Sequence, residues 1–435
     1  MNMFERIDSY REDMIRDLRT LIAHNSVEGM PETGAPNGRA VARCLDDALK
    51  IARDLGFAAE NVDGWAGEVT YGKSEDYVAI LSHLDIVPAG DGWSHDPFKG
   101  EIVDGRMYGR GVNDDKGPLI ASLYALKALK EEGRELGSEV RIIMGTTEET
   151  GGGDIEAYLE SRGRQPKAGF TPDAFFPAIN AEKGIINFEI TKKLDTGRVE
   201  ILSLKGGNAP NMVPDTAELS YRRGGEDNRI SLKGVSAHGS TPSKGVNAIL
   251  KMFPVLGQLD PQLEMDMAFL TETLTDINGE GFEAALEDEA SGKLTSCLGL
   301  MNYEDGILKL TVNLRIPVTF AAEDVRDPIR LKFQARGFET TFGDFTEPLY
   351  YPEELPMIQA LMGVFREVTG DKEARPMAIG GGTYAKSMDN VVAFGPALPG
   401  REDVDHIADE YIFIDDLMMW TKIYAEAIAA LTSIT

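Results

Sequence analysis

Apolar residues recur every three or four positions through Ile7, Tyr10, Met14, Ile15, Leu18 and Leu21, which predicts an amphipathic helix over residues 1–21. The same period predicts helices over 39–55, ended by Gly56, and over 117–132, where Leu119, Leu123, Leu126 and Leu129 share a face. A short apolar run at 77–81 and a second compact stretch at 140–144 read instead as strands. Each runs at once into a polar cluster, Ser82-His83-Leu84-Asp85 and Thr146-Thr147-Glu148-Glu149. Strands alternating with helices predict an α/β fold, with a mostly parallel sheet and helices on both faces. The polar clusters then stand beyond the carboxyl ends of strands, where an open parallel sheet presents its ligand crevice.

Around Gly184 the texture changes. Runs at 185–191, 199–204, 217–221, 229–232 and 308–315 read as strands, many alternating as in an antiparallel sheet with one wet face. Helical α/β character returns near Tyr351, with a helix over 356–369, a strand over 391–394 and a closing helix over 415–432. The expected organisation is a discontinuous catalytic domain, 1–184 plus 351–435, interrupted by an inserted α+β lid domain with antiparallel strands at 185–350. No repeat of fixed period and no low-complexity segment interrupts this reading.

The charge balance narrows the function. Across 435 residues, 44 Lys+Arg stand against 72 Asp+Glu, a net charge of −28. Such an excess excludes nucleic acid and anionic membrane as expected partners, because phosphate binding needs a basic face. Acidic residues interrupt the first helix, so it does not read as a signal peptide, and no apolar run approaches the roughly 20 residues a bilayer requires. Two cysteines, Cys44 and Cys297, make no disulfide framework. The expectation is a soluble, cytoplasmic protein.

Candidate chemistry lies in five places. His83 opens a strand-end His-x-Asp, in which Asp85 either holds the imidazole or caps a turn. Asp114 and Asp115 precede a helix, where carboxylates are favoured at the N-terminus but where one Asp can also bridge two cations. Glu148 and Glu149 follow a buried strand directly, and an acidic pair there calls for something cationic. Neighbouring side chains diverge, so one can ligate while the other holds water. Asp173 sits in Pro172-Asp173-Ala174, and His406 lies among Asp403, Asp405 and Asp409. Together they offer two histidines and three carboxylates as ligands, one spare Glu and one Asp behind a ligand. Nitrogen and oxygen donors in that number suit a pair of divalent cations, and neither cysteine joins them. His24 and His95 read as structural.

The strings Ser82–Pro88, Asp96–Lys99, Gly109–Pro118, Gly145–Thr150, Pro172–Ala174, Ile379–Tyr384 and His406 occur in one order along nearly the whole chain. In that order they resemble the co-catalytic metallopeptidase family that includes aminoacylase, carnosinase and carboxypeptidase G, and within it the PepV-type bacterial dipeptidases. The resemblance implies that His83 and Asp173 ligate one metal, that Glu149 and His406 ligate the other, and that Asp114, two residues before Lys116-Gly117, bridges both. Asp85 would orient His83, and Glu148 would be the general base for a metal-bridging hydroxide. The segment around His238 resembles the family's lid histidine, implying a role in stabilising the oxyanion. Asn211 and Arg315 match positions that contact substrate, with Arg315 suited to a free carboxylate, and the Gly381 and Gly382 N–H groups can add to that site. The implied activity is a dipeptidase with two divalent cations per chain, zinc first, with manganese or cobalt as alternatives. Other amide hydrolases on the same scaffold, an N-acyl-amino-acid deacylase, a desuccinylase or a carboxypeptidase, share the metal site. The large insertion, as in PepV-type enzymes, implies a monomer in which His238 serves its own chain.

Overall fold

Tyr77–His83 is buried at every position, the pattern of a strand covered on both faces. It pairs in parallel with Glu139–Gly145 on one side and Ala168–Thr171 on the other. Val391–Ala393 extends the parallel set beyond Ala168–Thr171, while Ala66–Tyr71 and Ala58–Val62 continue the opposite edge antiparallel. Helices cover both faces. Gly67 looks toward Leu45 and Leu49 of helix Arg39–Asp54, whereas Glu68 meets Tyr158 and Arg162 of helix Asp154–Arg162. Successive strand residues point to opposite faces, so those two helices lie on opposite sides of the sheet. Helices Lys116–Glu132 and Ile414–Thr432 pack on each other and on the central strand.

The computed structural model describes residues 1–434, and the chain falls into two compact units. The sheet just described belongs to the first: Met1–Asn180, Tyr351–Met377 and the chain from Thr383 onward. The second comprises Ala181–Tyr350 and Ala378–Gly382. Its main sheet has seven strands, all antiparallel, in the order Glu226–Lys233, Thr216–Arg223, Glu200–Gly206, Thr295–Glu304, Ile307–Ile316, Gly184–Lys193, Glu339–Thr346. Burial alternates along Gly184–Lys193, so one face is covered. Phe253, Met267 and Phe333, from helices Ala248–Leu259, Glu264–Thr275 and Glu323–Gln334, join Phe188, Leu219 and Leu310 of the strands in one buried cluster.

Two expected elements change in extent. The helix expected over 1–21 is two helices, Met3–Ser9 and Arg11–Ile22. At the break the Tyr10 N–H turns back to Ile7 O at 2.9 Å, a tightened last turn, and the Tyr10 hydroxyl donates to Glu131 at 2.7 Å. The strand expected at 77–81 continues to His83, so the imidazole hangs from the strand itself. Cys44 and Cys297 are buried free thiols. Among the described residues no helix is long and apolar enough to cross a membrane.

Candidate metal centre

The parallel strands end together at His83, Gly145, Thr171 and Ala393, and the polar residues that follow them converge. His83 Nε2 lies 2.8 Å from Asp114 Oδ1 and 3.8 Å from Asp173 Oδ1. His406 Nε2 lies 3.0 Å from Asp114 Oδ2 and 3.1 Å from Glu149 Oε2. Two donor groups result, His83–Asp114–Asp173 and Asp114–Glu149–His406, each with its ligand atoms within 4.8 Å of one another. Asp114 is common to both. Asp115 is not: its carboxylate accepts the His83 N–H at 3.2 Å. His24 and His95 stand outside both groups, paired with Asp47 and Glu101 at 2.8 and 3.1 Å.

The surroundings fix the orientation of these donors. His83 Nδ1 lies 3.1 Å from the Asp85 carbonyl oxygen and 3.4 Å from the Asp85 carboxylate, which turns Nε2 toward Asp114. The Asp85 carboxylate also accepts the main-chain N–H groups of Glu148 and Glu149 at 3.1 and 3.0 Å. One Asp therefore holds both the imidazole and the glutamate pair.

The charges on the cluster conflict. Burial would lower the His83 pKa, but hydrogen bonds to Asp114, Asp173 and Asp85 outweigh it and raise it well above the ordinary imidazole value. Hydrogen bonds donated to Asp114 and Glu149 raise His406 to about 11. Burial is the largest influence on Asp114 and pushes it up, yet the two imidazoles hold it far below the usual carboxylate range. Burial and the charge of Asp114 push Asp173 up to about 7, and burial with the charge of Asp173 raises Glu148 well above its ordinary value. Some carboxylates are thus driven toward holding protons while others stay fully ionised. A donor set strained in this way, all nitrogen and oxygen and without a thiolate, fits a pair of divalent cations.

Several supporting residues carried no signal of their own in the sequence. Glu410 is fully buried and accepts N–H groups from Gly111 and Asn113 at 3.1 and 2.9 Å, together with Arg110 NH1 at 2.6 Å. It shapes the loop that presents Asp114. Asp154 accepts the Thr147 N–H at 3.0 Å, the Thr146 N–H and the Tyr384 hydroxyl, and so shapes the turn that presents Glu148 and Glu149. Arg110 and Tyr384 lie inside the matching strings; Glu410 is a single acid far along the chain from the loop it holds, and Asp154 stands eight residues beyond Thr146, outside any string.

The remaining sequence-predicted residues lie in the second unit. Asn211 and His238 come together through a main-chain bond, Gly239 N–H to Asn211 O at 2.7 Å, and a bridge between Met212 and His238. The His238 ring Nδ1 lies 2.6 Å from Ser240 Oγ. Arg315, 4% exposed, donates to Asn313 Oδ1 at 2.7 Å and to Gly380 O at 3.0 Å, the latter just ahead of Gly381 and Gly382. No acidic side chain among the described residues pairs with Arg315, and burial lowers its pKa to about 10.

Residues 79–430 match the profile described as Peptidase family M20/M25/M40. The Bacillus subtilis (strain 168) protein named "Putative dipeptidase YtjP" is 37% identical, over 98% of this chain and 99% of its own. Among solved structures, human carnosine dipeptidase 1 superposes with a TM-score of 0.64 at 16% identity, covering 99% of this chain and 98% of that one. The Bacillus subtilis YXEP protein, described as a dinuclear metal-binding peptidase from the M20 family, gives a TM-score of 0.55 at 13% identity, covering 98% of this chain and 100% of that one. With a profile matched along most of its length and a relative this similar from end to end, the chain belongs to peptidase family M20/M25/M40 and is a metal-dependent hydrolase.

Proposed function

We propose that the chain is a dipeptidase that works with two divalent cations on short peptides bearing a free C-terminal carboxylate. The observation that carries this reading is the sharing of Asp114 between two donor groups. His83 and Asp173 would hold one cation, Glu149 and His406 the other, and Asp114 both. Zinc, manganese and cobalt all suit these donors. Bound there, the cations would lower the pKa of a water and polarise the scissile carbonyl.

The chain's own groups supply the rest. Glu148, buried and raised well above the ordinary carboxylate range, is the proposed base, with its main chain held by Asp85. It takes a proton from the attacking water as the C–O bond forms, holds it, and passes it to the leaving amine as the C–N bond breaks. Arg315, a buried guanidinium with no acidic partner among the described residues, is the proposed carboxylate binder. The roles of His238 as oxyanion donor, and of Asn211, Gly381 and Gly382 as substrate contacts, rest on the resemblance. The relative named as a dipeptidase supports this reading over deacylation.

The test separates binding from chemistry. Glu148→Ala should keep two metal ions and lose on the order of 10²–10⁴ in turnover of dipeptides. Asp114→Ala should lose metal, because it removes a donor from both groups. Metal analysis finding Glu148→Ala empty and Asp114→Ala full would overturn the assignment. Arg315→Lys should cost more with dipeptides than with dipeptide amides, since an ammonium cannot form the bidentate pair.

A further inference from the structure

Beside the donor cluster, within the first unit, lies a cavity of about 640 Å³. Val27, Met30, Ile86, Val87 and Pro88 form its apolar walls, and it is bordered by Glu149. The volume is that of a small-molecule pocket, and apolar walls with a few polar groups are the usual composition of one. The walls are tied to each other and to the donor cluster. Ser26 Oγ donates to Leu84 O at 2.6 Å, the Ile86 N–H donates to Ser26 O at 3.3 Å, and the Val87 N–H donates to Glu149 Oε1 at 3.3 Å. Glu28, also on the cavity, accepts the hydroxyls of Thr147 and Thr150, which flank the glutamate pair. Met30 is 84% exposed, a large apolar side chain left facing solvent on a pocket wall.

We propose that this cavity seats the side chain of the substrate's N-terminal residue and selects apolar ones. The inference rests on the dipeptidase reading and adds a specificity to it. The cavity borders Glu149 of the donor cluster, and with the C-terminal carboxylate assigned to Arg315 the side chain left for this cavity is that of the N-terminal residue. The walls supply apolar contact for a Leu, Met or Val side chain. An Asp or Glu side chain would meet the carboxylate of Glu28, which disfavours it by like-charge repulsion.

The experiment compares kcat/KM of the zinc-loaded enzyme for Leu-Gly, Gly-Gly, Gly-Leu and Asp-Gly. Leu-Gly should exceed Gly-Gly by about 10–200-fold, the range available to an apolar pocket, and Asp-Gly should show no such gain. Val27→Trp, or Val87→Phe should the first fail to fold, fills the cavity and should cost Leu-Gly at least about tenfold more than it costs Gly-Gly. An equal loss for both, or a loss confined to Gly-Leu, overturns the proposal. Calorimetric binding of free L-leucine against glycine provides a readout without turnover: leucine should bind more tightly, and the filling variant should abolish the difference. Turnover of all dipeptides without a Leu/Gly preference sinks the pocket and leaves the dipeptidase standing. Tighter leucine binding with no dipeptide turned over sinks the dipeptidase and leaves the pocket standing.

Discussion

Gly145 ends the strand that delivers Glu148 and Glu149, and its missing side chain is a requirement of packing. A Cβ there would sit 1.8 Å from the Tyr384 hydroxyl oxygen and 2.6 Å from Asp154 Oδ2. Those two groups are hydrogen-bonded to each other, and Asp154 in turn holds the Thr146 and Thr147 N–H groups. Gly145→Ala must therefore displace the groups that shape the glutamate turn. It should cost about 1–3 kcal/mol in stability, as overpacking does, and lower turnover by more than the stability loss explains. Denaturant unfolding run beside a dipeptide assay checks this, and unchanged turnover would refute it. Tyr384→Phe tests the same support from the other side. It removes one donor to a buried carboxylate, a loss worth about 1–3 kcal/mol.

The loop from Gly109 to Asp114 is shaped by one buried ion pair, Arg110 with Glu410. Arg110 also donates to Ile407 O at 3.2 Å, so the pair ties the Asp114 loop to the segment carrying His406. Arg110→Met would leave Glu410 buried without its cation, a change that typically costs about 3–5 kcal/mol. Metal affinity should fall with it by roughly 10–100-fold, as when other groups that hold ligands in place are removed. Metal titration together with unfolding decides it: a variant that is destabilised but binds metal as before would show that the pair serves stability alone. The sequence made the central strand readable because a strand buried on both faces appears as an unbroken apolar run, as at 77–81. It hid Glu339–Thr346, an edge strand of mixed polarity, and Thr295–Glu304, where Gly299 interrupts the pattern. The five donor positions were legible from their strings. Glu410 and Asp154 were not: Glu410 acts on a loop remote in sequence, Asp154 is one acid among many just past the turn it holds, and neither spacing nor composition marks them.

At the scale of the whole molecule, the centre gathers Asp85, Asp114, Asp115, Glu148, Glu149 and Asp173 around two imidazoles, with Lys116 buried beneath and donating to His24 O at 3.0 Å. Cations held there would act on stability as well as on catalysis. Chelation should lower the unfolding temperature, and zinc at about 100 times its dissociation constant should restore about 2.7 kcal/mol. A melting temperature indifferent to chelator would argue against occupied sites. The monomer implied by the resemblance should sediment at the mass of one chain, 47.5 kDa. Mixtures of inactive His238→Ala and Glu148→Ala should then stay inactive at every ratio, and regained hydrolysis would reveal sharing between chains. The first unit is also split in sequence, leaving at Asn180 and resuming at Tyr351. On the ribosome, four of the five donors emerge before the second unit is translated, and His406 follows only after it. During that interval Ala168–Thr171 waits as an open sheet edge for Val391–Ala393, its eventual parallel neighbour. The donor cluster is therefore completed only after the second unit has been made, and a chain released before His406 presents an acidic half-site beside an unpaired strand.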